Sequence, residues 1–171
     1  LHGFQLWVNM PAKDKLNDPD YDFIKKEQMK SYKIEGIEVK VIAGTYNDIK
    51  GPINKDNLGI TMLHVSLDKS KEITLTRLKN KQGFIYVFKG KGKLNEETID
   101  FNTAYTLREG TYTIKSTKDL EFIYAEGTPL QEPIAWYGPI VMNTNEQIRE
   151  TLEDLNNGTF INNKDIKKPQ Y

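Results

Sequence analysis

The sequence predicts an all-β fold, an antiparallel sandwich or barrel followed by one short C-terminal helix. Three observations predict it. From Gly36 to Gly127 the chain is a series of short runs in which apolar and polar residues alternate: IEVKVIAG, ITMLHVSL, EITLTRL, GFIYVFKGKGKL, TAYTLREG, TYTIKST and LEFIYAEG. That period of two gives a strand one buried face. Gly, Asn, Asp and Lys separate the runs, the residues of tight turns. Only after residue 143 does the period lengthen, with Ile148, Leu152 and Leu155 at helical spacing.

Composition sets the outer limits. The 171 residues are 37% hydrophobic and 28% charged with 11% aromatic, a balance that supports one ordered core rather than a disordered chain. Lys plus Arg and Asp plus Glu number 24 each, so no net field draws the chain to nucleic acid or to an anionic membrane. Cysteine is absent, which excludes disulfides, thiolate metal sites and a cysteine nucleophile within these residues. No run approaches the ~20 apolar residues of a membrane span, and the first ten residues lack the pattern of a signal peptide. A cytoplasmic address is expected.

The elements follow in order. In FQLWVNM, Phe4, Leu6, Val8 and Met10 alternate with Gln5, Trp7 and Asn9, so residues 1–10 read as a strand. Pro11 ends it, and residues 11–35, rich in charged and amide side chains, read as a surface linker pinned by Tyr21, Phe23 and Ile24. Residues 36–130 carry the β runs. Hairpin turns are expected in the Lys-Gly stretch after FIYVFKG, at Asn95-Glu96-Glu97, and at LREGTY, where Gly110 supplies positive φ. Residues 131–161 divide into a proline-rich segment expected to pack along the barrel wall and a helix. That helix has Asn143 or Thr144 as cap, Glu146 or Gln147 three residues on, and Gly158 past its end. Residues 162–171 read as a flexible polar tail.

With these elements in place, HGFQLWVNMP at 2–11, VIAG at 41–44, FIYVFKG at 84–90 and AEGTPLQEPIAWYGPIVMNTNEQI at 125–148 resemble the C-terminal portion of pirins, which are bicupin proteins. The resemblance covers nearly the whole chain. It implies a cupin-type double-stranded β-helix, a jelly-roll barrel, over 36–130. It also implies that residues 1–10 are the closing strand of an N-terminal cupin lying upstream, so that the chain is the rear part of a longer protein. In the family the first cupin holds one iron through three His and one Glu, all upstream of the segment matching HGFQLWVN. No cofactor is therefore expected in this chain, with iron only in the N-terminal cupin.

The residues themselves bear on that expectation. A metal-binding cupin presents His-x-His, a Glu shortly after and a further His on a later strand. Here Thr74 and Thr76 stand where the first pair would sit, and Thr113 follows Gly110 where the later His would be. Hydroxyls are poor iron ligands, and with two histidines in all a three-His site within one subunit is excluded. His2 reads as a residue near a strand start. His64, sharing a face with Ile60 and Met62, reads as a barrel-interior histidine and the one internal candidate base. Asp14, Asp18, Asp20 and Asp22 lack the Gly and Glu of a calcium loop and read as solvated. Lys89, Lys91 and Lys93 read as a solvated turn, and Asn157-Gly158-Thr159 as a helix stop rather than a glycosylation site.

No catalytic residue and no metal ligand is assigned. Phe4, Leu6, Trp7, Val8, Trp136 and Tyr137 are the candidate contact set toward an N-terminal cupin or a second copy in a homodimer. The leading functional reading is a metal-free supporting or interaction module. The alternatives are part of a pirin-type, iron-dependent quercetin 2,3-dioxygenase-like enzyme whose metal lies in the N-terminal cupin, and a transcription co-regulator acting through protein contacts. Neither nucleic acid nor membrane is expected as a partner.

Overall fold

A computed structural model describes residues 3–53 and 59–161. The chain divides into two units, one of residues 24–129 and one that joins residues 1–23 with 130–171.

The 24–129 unit holds ten strands: β1 (Lys30–Ile34), β2 (Ile37–Ala43), β3 (Thr45–Tyr46), β4 (Ile49–Lys50), β5 (Thr61–Leu67), β6 (Glu72–Arg77), β7 (Gln82–Leu94), β8 (Glu97–Asp100), β9 (Thr103–Leu107) and β10 (Gly110–Gly127). Every ladder between them is antiparallel. The first part of β10 pairs with β6 and its second half with β5, while β7 pairs with it from Ile114 to Gly127. In the same way β7 pairs first with β9 and then with β8. The result is two layers, β1-β2-β5-β10-β7-β9 and β6-β10-β7-β8, sewn together by two long bent strands. This is the jelly roll that the sequence predicts.

Burial alternates along β2, β5, β6 and the first half of β7, which places the core between the layers. Val39, Val41, Leu63, Val65, Leu67, Ile85, Val87, Leu120 and Phe122 fill one side, and Ile73, Leu75, Leu94, Ile99 and Ile114 the other. The bend of β10 lies at Ser116 to Phe122, where the register with β7 shifts three times. Opposite it, Gly90 has φ 79°, and a Cβ there would lie 1.6 Å from the Asp119 carbonyl oxygen. Only glycine lets the two backbones approach so closely.

Several expectations are corrected. The linker read over 11–35 ends early, because Lys30–Ile34 is an edge strand on β2 with Tyr32 packed against the core. The KGKGK stretch is no turn: β7 passes through it, and Lys89, Lys91 and Lys93 each meet a carboxylate, of Glu121, Asp100 and Glu96. TYTIKST and LEFIYAEG are one strand, since the break between them is a bulge. LREGTY is no hairpin, because β9 and β10 carry the chain from one layer to the other and do not pair. The Asn95-Glu96 turn between β7 and β8 falls where predicted, with Asn95 at φ 52°.

The other unit contains the hairpin β11 (Ala135–Tyr137) and β12 (Ile140–Met142) and the helix α1 (Asn145–Asn157). This segment has a small core of its own, where Ala135, Met142 and Ile148 pack with Ile140, Leu152 and Phe160. Thr144 caps α1, accepting from the Gln147 backbone while the Gln147 side chain reaches back. Gly158 ends it at φ 70°, which is the helix stop read at Asn157-Gly158-Thr159. Residues 4–10 make no ladder with any described strand. A strand is held by its neighbour, and here the alternation of Phe4, Leu6, Val8 and Met10 leaves both faces exposed. Among the described residues no helix is long and apolar enough to cross a membrane. The polar tail at 162–171 lies outside the described residues.

Candidate functional site

In the 24–129 unit a cavity of about 380 Å³ opens beside β6, bounded by β5, β6, β10 and the β3–β4 hairpin. Its apolar wall is Leu63, Leu75 and Leu78, and its polar groups include Tyr46, Thr61, Lys81, Tyr124 and Glu126. Period-two geometry explains how each arrives there. Phe122, Tyr124 and Glu126 share the inner face of β10, and Ile73, Leu75 and Arg77 share the inner face of β6.

The polar groups are partly committed to one another. Tyr124, only 3% exposed, donates its hydroxyl to Glu126 Oε2 at 2.7 Å. Burial, and then the Glu126 carboxylate, push the Tyr124 phenol far above its ordinary range, against a smaller opposing pull from Arg77. Tyr46 stands edge-on to Tyr32 with centroids 5.9 Å apart, and burial followed by the neighbouring Tyr32 raises its phenol too. Lys81 Nζ donates to the Gly59 carbonyl. Arg77, 8% exposed, donates from Nη1 to the carbonyls of Leu78 and Lys81, while its buried Nε has no hydrogen-bond partner.

This donor set does not fit iron. Thr74 and Thr113 stand opposite each other, as do Thr76 and Thr111, and Thr74 and Thr76 also line this cavity, but they offer hydroxyls, and that of Thr76 is hydrogen-bonded to Thr111 at 3.2 Å. Among the described residues no three His, Asp or Glu side chains converge as a metal set. The Asp14 to Asp22 run is no exception: Asp14 accepts from Asn17 at 3.4 Å, and Asp18, Asp20 and Asp22 are exposed.

His64 is not in the barrel interior. Its neighbours Leu63 and Val65 take the inner face of β5, which turns His64 outward with Met62 and Ser66. There its Nε2 lies 3.0 Å from Glu121 Oε2, and its ring stands 5.3 Å from that of Phe88. Lys89 reaches the other Glu121 oxygen at 2.7 Å. Burial works against the Glu121 charge, but the hydrogen bonds from Lys89 and His64 outweigh it and hold the carboxyl below the usual range. His2 lies outside the described residues.

In the other unit, Trp7 is 64% and Trp136 74% exposed, and Phe4, Leu6, Val8 and Tyr137 are exposed as well. Trp7, Val8, Met10, Trp136, Val141 and Met142 line a groove of about 460 Å³. Glu132 ties this face together, accepting from the Ala12 backbone at 2.8 Å and from Asn143 Nδ2 at 3.2 Å. Lys15 sits at the groove edge, where burial lowers its pKa against the opposing pull of Glu132.

The Arg77, Lys81, Tyr124 and Glu126 group was not singled out from sequence. The signal was present, since each run that reads Ile-x-Leu-x-Arg or Phe-x-Tyr-x-Glu ends its apolar face on a charge.

Two antiparallel layers joined by long bent strands around a mouth-opening cavity define a cupin domain. Residues 62–161 match the Pirin C-terminal cupin domain. The chain belongs to the pirin family. It is 31% identical over 172 residues to a Thermoplasma acidophilum protein whose name proposes quercetin 2,3-dioxygenase activity, covering 95% of this chain and 66% of that one. Pirin of Rattus norvegicus is 31% identical over 163 residues, 91% of this chain and 56% of its own. The crystal structure of a quercetin 2,3-dioxygenase from Acinetobacter baumannii superposes with a TM-score of 0.83 at 31% identity, over 90% of this chain and 55% of that one. The chain thus spans about half to two thirds of the length of the curated relatives it matches.

Proposed function

We propose that this chain is the supporting half of a bicupin, a module without a metal site of its own that docks onto an N-terminal cupin. The single observation that carries the reading is the donor set: the positions where a cupin would present imidazoles hold threonines, with Thr74 and Thr76 at the cavity, and the one described histidine is on the outer face. The exposed apolar face around Trp7 and Trp136 supports the docking half of the proposal, since a patch of this kind costs solubility unless covered. A second copy of the chain is the competing occupant.

Metal content tests the first half. The purified chain is loaded with Fe(II) anaerobically, desalted and assayed for iron per chain. Below about 0.1 iron supports the reading, and about one overturns it by demanding an unrecognised site. For docking, sedimentation velocity with and without a separately expressed upstream half is the measurement. A 1:1 complex lost in Trp7→Ser supports the face named, and a homodimer indifferent to the added half refutes it.

A second reading rests on the likeness to the Acinetobacter baumannii quercetin 2,3-dioxygenase. In it the whole protein is an iron-dependent enzyme of that type, and this chain supplies no ligand to the metal. Quercetin consumption by the full-length protein and not by these 171 residues is the expected result. Turnover by this chain alone would refute it.

A further inference from the structure

The two layers end in the outer strands β1, β6, β8 and β9, each with a ladder along one side only among the described residues. The other side carries unpaired backbone N–H and C=O groups, which accept a further strand unless a charge turns it away. Three of these edges hold such charges. β1 carries Lys30 and Lys33, β6 begins at Glu72 and ends at Arg77, and β8 carries Glu97 and Asp100. β9 reads Thr103-Ala104-Tyr105-Thr106-Leu107, with no charge, no proline and no bulge against β7. We propose that β9 is an interaction edge and that its partner is β9 of a second copy of this chain, paired antiparallel about Tyr105.

The choice of a second copy follows from what self-pairing sets face to face. A two-fold axis beside Tyr105 puts Thr103 opposite Leu107, Ala104 opposite Thr106 and Tyr105 opposite its own copy, and each pair joins residues of the same face. Thr103, Tyr105 and Leu107 stand beside Val87, Ile85 and Gly83 on the core side, while Ala104 and Thr106 are exposed on the other. Leu107 is buried and Tyr105 packs against the core, so the join carries the core face of one sheet into the next. Aromatic and threonine pairs of this kind are favourable across strands. The same construction in β1 sets Lys33 diagonal to its own copy, in β8 it does so for a carboxylate, and in β6 it sets Arg77 against Ile73 or Lys71. Charge also fits at the ends of β9. Arg108 is exposed, and only its backbone groups are hydrogen-bonded, both to Tyr112. Pairing about Tyr105 brings its guanidinium beside Asn102 of the other copy and diagonal to Asp100, the carboxylate that already holds Lys91.

A ladder of five residues makes a weak dimer, half-formed between about 10 and 500 µM. Sedimentation equilibrium of the full 171-residue chain up to about 1 mM is expected to show it. Ala104→Lys, at an exposed position, puts a charge into the edge and is expected to weaken the dimer at least about tenfold, with the melting temperature of the dilute chain unchanged. The absence of cysteine allows a test of register. Under mild oxidation a mixture of Ala104→Cys and Thr106→Cys chains is expected to form a disulfide-linked pair faster than either variant alone, because only directly opposite residues come within disulfide reach. A monomer at every concentration, a dimer indifferent to Ala104→Lys, or Ala104→Cys linking to itself as fast as in the mixture would each overturn the proposal. A dimer abolished by Trp7→Ser would do the same, since no residue of β9 is altered. Binding of a separately expressed upstream half is expected to survive Ala104→Lys, so this proposal and the docking reading fail on different variants.

Discussion

Replacing Gly90 by alanine isolates the geometric demand that lets the barrel bend. Gly90 at φ 79° and Gly36 at φ 74° have nearly the same left-handed backbone, so alanine at either carries the same conformational cost of about 1 kcal/mol. They differ in what the added carbon meets. At Gly36 it is the Lys71 side chain, at 2.7 Å, which can swing aside; at Gly90 it is the Asp119 carbonyl oxygen at 1.6 Å, which is backbone inside the bulge of β10. Reaching van der Waals contact requires the strands to part by more than about 1.5 Å, which breaks the pairing around Lys89–Glu121 and Lys91–Lys118. Two ladder bonds at about 1 kcal/mol each, with the conformational term, give about 3 kcal/mol or more for Gly90→Ala against about 1 kcal/mol for Gly36→Ala. That is a large share of a typical total stability of about 5–15 kcal/mol. Urea unfolding of the two variants beside the parent measures the difference directly. Equal losses in the two would refute the steric argument and leave backbone conformation as the whole effect.

Other perturbations follow from the same structure. Phe122→Ala, at a fully buried site, is expected to cost about 3–5 kcal/mol by urea unfolding, whereas Phe101→Ala, on an exposed turn, stays within about 0.5 kcal/mol. Because Glu121 is held below its ordinary range in the folded state, its contribution to stability is present above its unfolded pKa and lost as the pH falls through the folded one. Glu121→Gln is therefore expected to lower stability at neutral pH and to approach the parent as the pH falls through and below the ordinary carboxylate range, read from melting temperature against pH. Thr144→Ala removes the helix cap and about 1 kcal/mol, which amide exchange at residues 145–148 reports as an acceleration of about fivefold.

How much of this was legible depended on how local the cause is. The capped helix and the period-two strands are written in consecutive residues, so α1, β2, β5, β6, β7 and β9 follow from pattern alone. β1 escaped because KSYKI offers only Tyr32 and Ile34 among lysines, and an edge strand needs only one paired side. Gly90 and Gly92 look like turn material in isolation, and only the approach of Asp119 and Lys115 from another strand makes them a bend. The phase of His64 was misread from Ile60 and Met62, because β5 takes its inward face from Phe122 and Tyr124 on β10, whose partners are Val65 and Leu63. The cavity residues come together through pairings some fifty residues apart, which a single sequence does not display. The alternation at 4–10 is a pattern awaiting a partner strand, and a pattern alone makes no ladder.

Because β7 and β10 each serve both layers, neither layer can be lost by itself. In a sandwich whose sheets own separate strands, one sheet can open while the other persists. Here the opening of either removes half the ladder from two strands that the other still requires. Unfolding of this unit therefore has one gate: the most protected amides of β5 and of the Lys91–Leu94 end of β7, in different layers, are bound to exchange through the same global event, while only the edges at β1, β6, β8 and β9 can fray on their own.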